Sequence, residues 1–488
     1  MSMILQDLQP KSIWKNFELI NAVPRPSKKE ERIIQFMIDF GKQLGLETET
    51  DSVGNVLIRK PATAGMEDRQ TVVLQSHLDM VHQKNSDTVF DFETQGIQMY
   101  VDGDWVRAKG TTLGADNGLG VATIMSVLES TDLPHPAIEA LFTIDEETGM
   151  TGALKLKKNW LKGTILLNLD TEDDDEIGVG CAGGIDISAS KHYQLEEVAS
   201  KSEAVQLVVK GLNGGHSGVD IFKGLGNANK ILARLLHDLH SQVAFGLVSF
   251  DGGSLRNAIP REAKADLVCK LGQGQELVNA CRSIFQEIKA EFQTVDPGLV
   301  LLTNTVNLPK YQLSTKDQSS FLSTLRIAHN GVYRMSPDIE GLVETSNNVA
   351  RVLLQEGSLS IHCLTRSSVE TSKDDLANVL KATFEIAGCE VVFSGGYPGW
   401  KPNMDSAILK VLVDLYPKLN GGEAAKVVAI HAGLECGILG ERNPGMDMVS
   451  FGPTIKGAHS PDERASISSA QKYWEFFKEI LLHIPLRT

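Results

Sequence analysis

Three short apolar runs constrain this chain more than any other feature. Val72-Val73-Leu74-Gln75-Ser76, Ala140-Leu141-Phe142-Thr143-Ile144 and Thr164-Ile165-Leu166-Leu167-Asn168 are nearly continuous rather than alternating. Strands of that kind are buried on both faces, as in a mostly parallel sheet covered by helices. Helical spacing supplies the covers. Lys11 to Asn21, Lys29 to Leu44 (with Ile33, Ile34, Met37, Phe40 and Leu44) and Gly120 to Leu128 fall around and between the runs. Asn55 to Arg59 reads as one more short strand.

The pattern changes from about Asp186 to Phe393. Strands there alternate and look antiparallel, and two stretches share an order of strand, strand, helix, strand. One includes Leu247 to Ser249, Glu262 to Lys270, a helix near Glu276 to Phe292, and Val300 to Thr303. The other includes Val352 to Gln355, Ser358 to Thr365, a helix near Asp374 to Ala387, and Glu390 to Phe393. After Gly395-Gly396-Tyr397-Pro398-Gly399 the α/β pattern resumes: helix Ser406 to Leu415, strands Lys426 to Ile430 and Asp447 to Phe451, and a last helix through Trp474 to Leu482. A chain of 488 residues exceeds what one core usually serves, so at least two domains are expected. The fold class expected is α/β: a mixed, mostly parallel sheet flanked by helices, interrupted by an α+β domain with an antiparallel sheet.

Charge and cysteines narrow the function. With 47 Lys+Arg against 62 Asp+Glu the net charge is −15, which disfavours nucleic acid and anionic membranes as partners. No basic segment followed by a long apolar one opens the chain, and no apolar run reaches membrane-spanning length, so a cytoplasmic protein is expected. The six cysteines are scattered without a Cys-x-x-Cys pair and read as reduced, buried thiols. The acidic run Glu172-Asp173-Asp174-Asp175-Glu176 reads as a solvated loop.

Each apolar run ends in residues that bind metals. The first leads into His77-Leu78-Asp79, where residues two apart on an extended chain face the same way. The second leads into Asp145-Glu146-Glu147-Thr148-Gly149 and the third into Asp170. Gly114-Ala115-Asp116-Asn117-Gly118 places a single acid among glycines, and Gly457-Ala458-His459-Ser460-Pro461-Asp462-Glu463 brings a histidine near the C-terminus. Each motif alone is weak, but together they are not. Sites in open α/β sheets form beyond the carboxyl ends of strands. Mixed imidazole and carboxylate ligands suit zinc, cobalt or manganese, and a carboxylate can bridge two ions.

Together these motifs resemble the di-zinc metallopeptidase family that includes carboxypeptidase G, peptidase T and the carnosinases, and within it the bacterial aminoacyl-histidine dipeptidases. Gly54 to Pro61, Gly180 to Asp186, Leu255 to Arg261 and His431 to Gly437 carry the same resemblance, which spans essentially the whole chain. It implies two zinc ions per chain, with cobalt or manganese as substitutes. Asp116 would bridge them across a cis peptide to Asn117. His77 and Asp170 would complete one site, and Glu147 and His459 the other. Glu146 would be the general base to a metal-bridging hydroxide, and Asp79 would tune His77.

The resemblance further implies a catalytic domain of residues 1–184 and 398–488, with 185–397 as a substrate-binding lid; the shared element order suggests two similar α+β units within it. His216 would stabilise the oxyanion, Asn257 and Arg366 would contact the substrate, and Gly433 would line the pocket. Arg366 would grip the C-terminal carboxylate. The activity implied is hydrolysis of unblocked dipeptides, preferentially Xaa-His such as carnosine, by a cytoplasmic enzyme that forms a homodimer. The alternatives are an N-acyl amino-acid deacylase or carboxypeptidase of the same superfamily, and a catalytically dead binding homologue. Intact Glu146 and five metal ligands disfavour the last.

Overall fold

The computed structural model describes residues 4–487; the first three residues, where the reading of a missing leader begins, lie outside them. The chain divides into two compact units. One comprises Met1–Gly180, Pro402–Ala429 and Leu434–Thr488, the other Cys181–Lys401 and Ile430–Gly433. No helix among the described residues is long and apolar enough to cross a membrane. All six cysteines are buried and none forms a disulfide.

The first unit is built on an eight-stranded sheet. From one edge its strands are Glu47–Thr50, Val56–Lys60, Ile138–Thr143, Val72–His77, Ile165–Asn168, Asp447–Ser450, Glu176–Cys181 and Lys426–Ile430. The middle is parallel: Val72–His77 pairs in parallel with Ile138–Thr143 on one side and Ile165–Asn168 on the other, and Asp447–Ser450 continues in parallel. Every residue of the three central strands is buried, as their near-continuous apolar runs require. The helix Ala115–Glu129 is buried on almost every side, and Asn16 of the helix Lys11–Asn21 bonds its Ser126 across a dry contact. The last helix, Ile467–Leu482, sets Phe476 and Phe477 against Phe451.

A four-stranded sheet that the sequence patterns did not suggest runs Ile455–Lys456, Arg464–Ser466, Trp105–Ala108, Met99–Asp102. Its register joins Ser466 to Trp105, and so brings the C-terminal motif alongside the loop that leads to Asp116.

The second unit carries an antiparallel sheet in the order Val300–Val306, Ser202–Lys210, Ala263–Lys270, Gly246–Gly253, Val343–Gln355, Ser358–Ser367, Gly183–His192, Glu390–Tyr397. Gly331–Met335 pairs with Val343–Gln355 off this path. The order is mirrored about the pairing of Gly246–Gly253 with Val343–Gln355. Either side of it holds four strands, with the helix Gly274–Glu291 or Glu370–Ile386 before the outermost one. These helices, with Ala228–His240 and Thr315–Ile327, bury one continuous apolar core that includes Leu232, Phe250, Phe285, Phe321 and Phe384.

Phe250 is fully buried, with its ring 5.7 Å from that of Phe321. Phe250→Ala is expected to cost about 3–5 kcal/mol. Urea denaturation followed by circular dichroism checks this, and an unmoved midpoint would contradict the packing described.

Candidate metal centre

Parallel neighbours open their carboxyl ends on one edge of a sheet, and the loops leaving them share a space. Three adjacent strands use that edge here. His77 closes the central strand, Asp79 follows it, Asp145 to Glu147 follow Ile138–Thr143, and Asp170 follows Ile165–Asn168. Asp116 comes from the first turn of the helix Ala115–Glu129, where the Asp116–Asn117 peptide is cis. His459 arrives on the loop between Ile455–Lys456 and Arg464–Ser466, in a left-handed backbone with φ 62°.

Asp116 lies between the two imidazoles. Its Oδ1 is 3.2 Å from His77 Nε2, and its Oδ2 is 3.2 Å from His459 Nε2. Asp170 Oδ1 stands 3.5 Å from His77 Nε2, and Glu147 Oε2 stands 3.1 Å from His459 Nε2. Two ligand groups therefore share one carboxylate: His77, Asp116 and Asp170 form one, and Asp116, Glu147 and His459 the other. Glu146 groups with His77 and Glu147 only. Asp79 Oδ1 is 3.3 Å from His77 Nδ1. The Asp79 carboxylate also accepts the backbone N–H groups of Glu146 (3.0 Å) and Glu147 (3.2 Å), so one side chain orients the histidine and both glutamates.

The electrostatics ask for positive charge at this point. Burial pushes the Asp170 carboxyl up to about 6 and the Glu146 carboxyl well above the usual range. Hydrogen bonds to Asp116 and Glu147 carry His459 up to about 11. Burial works against a charged His77, yet Asp170, Asp116 and Asp79 raise its proton affinity well above the ordinary value. Protons on the imidazoles thus stand in for cations. Glu147 Oε1 is buried without a hydrogen-bond partner. Two imidazoles, three carboxylates and an orphaned carboxylate oxygen fit a pair of divalent ions. A fourth acidic group, Glu30, Asp79 and Asp145, is occupied otherwise: Ser27 Oγ donates to Asp79, the Thr148 and Thr151 hydroxyls to Asp145, and backbone N–H groups to Glu30.

Several supporting residues escaped the sequence reading. The buried Glu463 carboxylate accepts four consecutive backbone N–H groups, from Leu113 (2.7 Å), Gly114 (3.0 Å), Ala115 (2.7 Å) and Asp116 (3.3 Å). Arg25, 2% exposed, donates to the carbonyls of Leu78, Asp79 and Gly114 and to Asn21 Oδ1. One guanidinium therefore ties the segment after His77 to the loop before Asp116. Burial lowers its pKa only to about 10, because Glu463 and Asp79 oppose the loss of charge. Gly114 has φ 70°, and a Cβ there would sit 2.6 Å from the Arg25 guanidinium. The Asn117 amide donates to Asp170.

The acidic run is solvated only in part. Asp173, Asp174 and Asp175 pair with Lys456, Lys472 and Lys426. Glu172 is half-buried, and burial with Asp116 nearby pushes its carboxyl up to about 8.

The remaining predicted residues lie in the second unit. The loops of His216 and Asn257 are stitched together by Ser217 N–H to Asn257 O (2.7 Å) and Ile259 N–H to Gly215 O (2.9 Å). His216 Nδ1 accepts the N–H groups of Gly218 and Val219 at 3.2 Å each, so a neutral ring carries its proton on Nε2 as an outward donor. Burial, with Arg366 nearby, keeps that ring neutral. Arg366 is 5% exposed and donates to the Tyr397 hydroxyl at 2.7 Å. Gly433 lies two residues beyond His431, whose Nε2 meets Ser346 Oγ at 2.7 Å.

Comparison with known proteins agrees with this geometry. Residues 73–483 match the sequence model of peptidase family M20/M25/M40. The chain is 44% identical over 483 residues to the cytosol non-specific dipeptidase of Escherichia coli (strain K12), with 99% of both chains covered. It superposes on the crystal structure of aminoacylhistidine dipeptidase from Vibrio alginolyticus with a TM-score of 0.93 and 43% identity, again over 99% of each chain. Aminopeptidase PepT from Bacillus cereus ATCC 10987 shares the fold, with a TM-score of 0.56 and 16% identity over 97% of this chain and 98% of that one.

Glu463 makes its own case as an anchor of Asp116. Glu463→Gln replaces an acceptor oxygen with an NH2 that faces N–H donors, and is expected to weaken divalent metal binding by about 10–100-fold. Equilibrium dialysis against zinc reads this directly. An unchanged affinity would reduce Glu463 to a fold-stabilising cap.

Proposed function

Because this chain belongs to peptidase family M20/M25/M40, we propose that it is a metal-dependent dipeptidase acting on unblocked dipeptides, Xaa-His dipeptides such as carnosine foremost. The observation that carries the reading is Asp116, with one oxygen towards each of two histidines that have their own carboxylate partners. Zinc as the resident metal, a cytosolic location and a homodimer belong to the same reading. The first unit is the catalytic domain in it, and the second binds substrate.

His77, Asp170 and Asp116 would hold one ion, and Asp116, Glu147 and His459 the other. When bound, such ions polarise a carbonyl and lower the pKa of water towards ~7. Glu146, which shares no ligand group with Asp116 or His459, is then free to act as the base. It takes the proton of the attacking water and returns it to the leaving amine. Burial raises its proton affinity, which suits a group that must carry that proton between the two steps. Asp79 Oδ1 stands 3.3 Å from His77 Nδ1 and so favours the ring proton on that nitrogen, which leaves Nε2 with its lone pair towards Asp116 and Asp170. In the second unit His216 Nε2–H is a neutral donor for the oxygen of the scissile carbonyl. Arg366 takes the terminal carboxylate, and Asn257 and Gly433 contact the substrate.

Two measurements test this. Glu146→Ala is expected to keep its metal while losing turnover by about 10²–10⁴-fold, since it removes a proton carrier and no ligand. Metal analysis beside carnosine turnover checks it, and metal loss would exchange the roles of Glu146 and Glu147. The zinc-loaded protein should also cleave carnosine far faster than N-acetyl amino acids. The reverse order would make it a deacylase.

A further inference from the structure

In the second unit, sheet register lines up a row of residues across four strands. Ser346 is opposite Arg366, Arg366 is opposite Gly184, and Gly184 is opposite Tyr397. Directly paired residues share a face of the sheet. The third place in the row has no side chain, and the Tyr397 ring fills it: a Cβ on Gly184 would lie 2.7 Å from the ring and from its hydroxyl. Leaning across that gap, the hydroxyl accepts a hydrogen bond from Arg366 Nη1 at 2.7 Å.

Arg366 itself is unusual. It is 5% exposed, and its Nε is buried without a partner. The acid two residues beyond Gly184, Asp186, is engaged by Arg256 at 3.2 Å. Among the described residues no carboxylate pairs with Arg366. At the other end of the row, His431 bonds Ser346, and burial holds that imidazole near pKa 3, so it is neutral. The row thus holds one buried cation among neutral groups, with Asp186 acting on it only at longer range. A buried guanidinium with an unpartnered Nε gains from an anionic ligand that completes its hydrogen bonds.

We propose that Tyr397, seated over Gly184, is a positioning residue that fixes the Arg366 fork for the terminal carboxylate of the substrate. A guanidinium binds a carboxylate through two parallel N–H bonds, so rotation about its own stem would spoil the fit. The Tyr397 hydroxyl accepts from one corner and sets that rotation. Because it accepts there, it keeps its own proton to donate to the same carboxylate. This rests on the reading of Arg366 as the carboxylate-binding group.

The test uses the full-length, zinc-loaded enzyme with a dipeptide and its C-terminal amide. Tyr397→Phe should raise KM for the free acid by about 10-fold and leave kcat and the KM of the amide unchanged. Gly184→Ala, whose methyl would displace the ring, should give the same selective loss. Arg366→Lys serves as the control for the underlying reading and should impair the free acid more than the amide. If Arg366→Lys discriminates and Tyr397→Phe does not, the inference about Tyr397 is overturned and Arg366 keeps its role. If Arg366→Lys impairs both substrates equally, the carboxylate assignment falls and the inference falls with it. A wild-type enzyme that cleaves neither substrate would instead refute the dipeptidase reading.

Discussion

Carboxylates crowd one corner of the first unit, and their repulsion is the constraint that the rest of the site answers. Asp79, Asp116, Glu146, Glu147 and Asp170 converge with two imidazoles, Asp79 and His77 buried and His459 exposed. Two such charges about 4 Å apart repel by about 4 kcal/mol at an effective dielectric of 20. The arrangement persists only if positive charge is placed among the oxygens and the backbone cannot relax away. His77 and His459 meet the first condition as imidazolium ions, and divalent metal meets it better. Arg25 and Glu463 meet the second by fixing carbonyls and N–H groups of the loops that carry the ligands. Glu463 is itself an anion beside Asp116, and it is tolerable because four N–H dipoles and the Arg25 charge surround it.

The parallel sheet makes this crowding possible. Antiparallel neighbours would send alternate strand ends to opposite edges, whereas Ile138–Thr143, Val72–His77 and Ile165–Asn168 run together and end together. Ligands separated by tens of residues in sequence therefore meet without long loops. His459 cannot reach the same edge from a strand of this sheet. It comes from the small four-stranded sheet, whose pairing with Trp105–Ala108 carries the C-terminal motif to the loop before Asp116.

What the sequence disclosed follows from this geometry. The three buried strands were legible because both faces are covered, and a doubly covered strand cannot avoid a continuous apolar run. His77, Glu147 and Asp170 were legible as candidate ligands because they sit at or just beyond the ends of those runs. Arg25 was not legible: its partners include Gly114 and Leu78, 89 and 53 residues away, and nothing local marks an arginine as buried. Glu463 lay inside a recognised motif, yet its partners are about 350 residues distant. Glu172 was misread for the same reason. A run of five acids gives no sign that its first member has its proton affinity raised beside Asp116 while the next three meet lysines. The four-stranded sheet was missed because its strands are two to four residues long, too short for a period to register.

The two units treat charge in opposite ways, and the difference matches the roles proposed for them. Chemistry at a carbonyl needs protons moved and negative charge stabilised, so the first unit concentrates many groups whose proton affinities are shifted by burial and by one another. Recognition of a carboxylate needs one fixed charge and no competitor. In the second unit Asp186 pairs with Arg256 and His431 is held neutral, while no carboxylate among the described residues pairs directly with Arg366. A glycine makes that possible: any larger residue at Gly184 would exclude the Tyr397 ring and leave the guanidinium free to turn. On the proposed reading, specificity in this unit comes from side chains withheld as much as from side chains supplied.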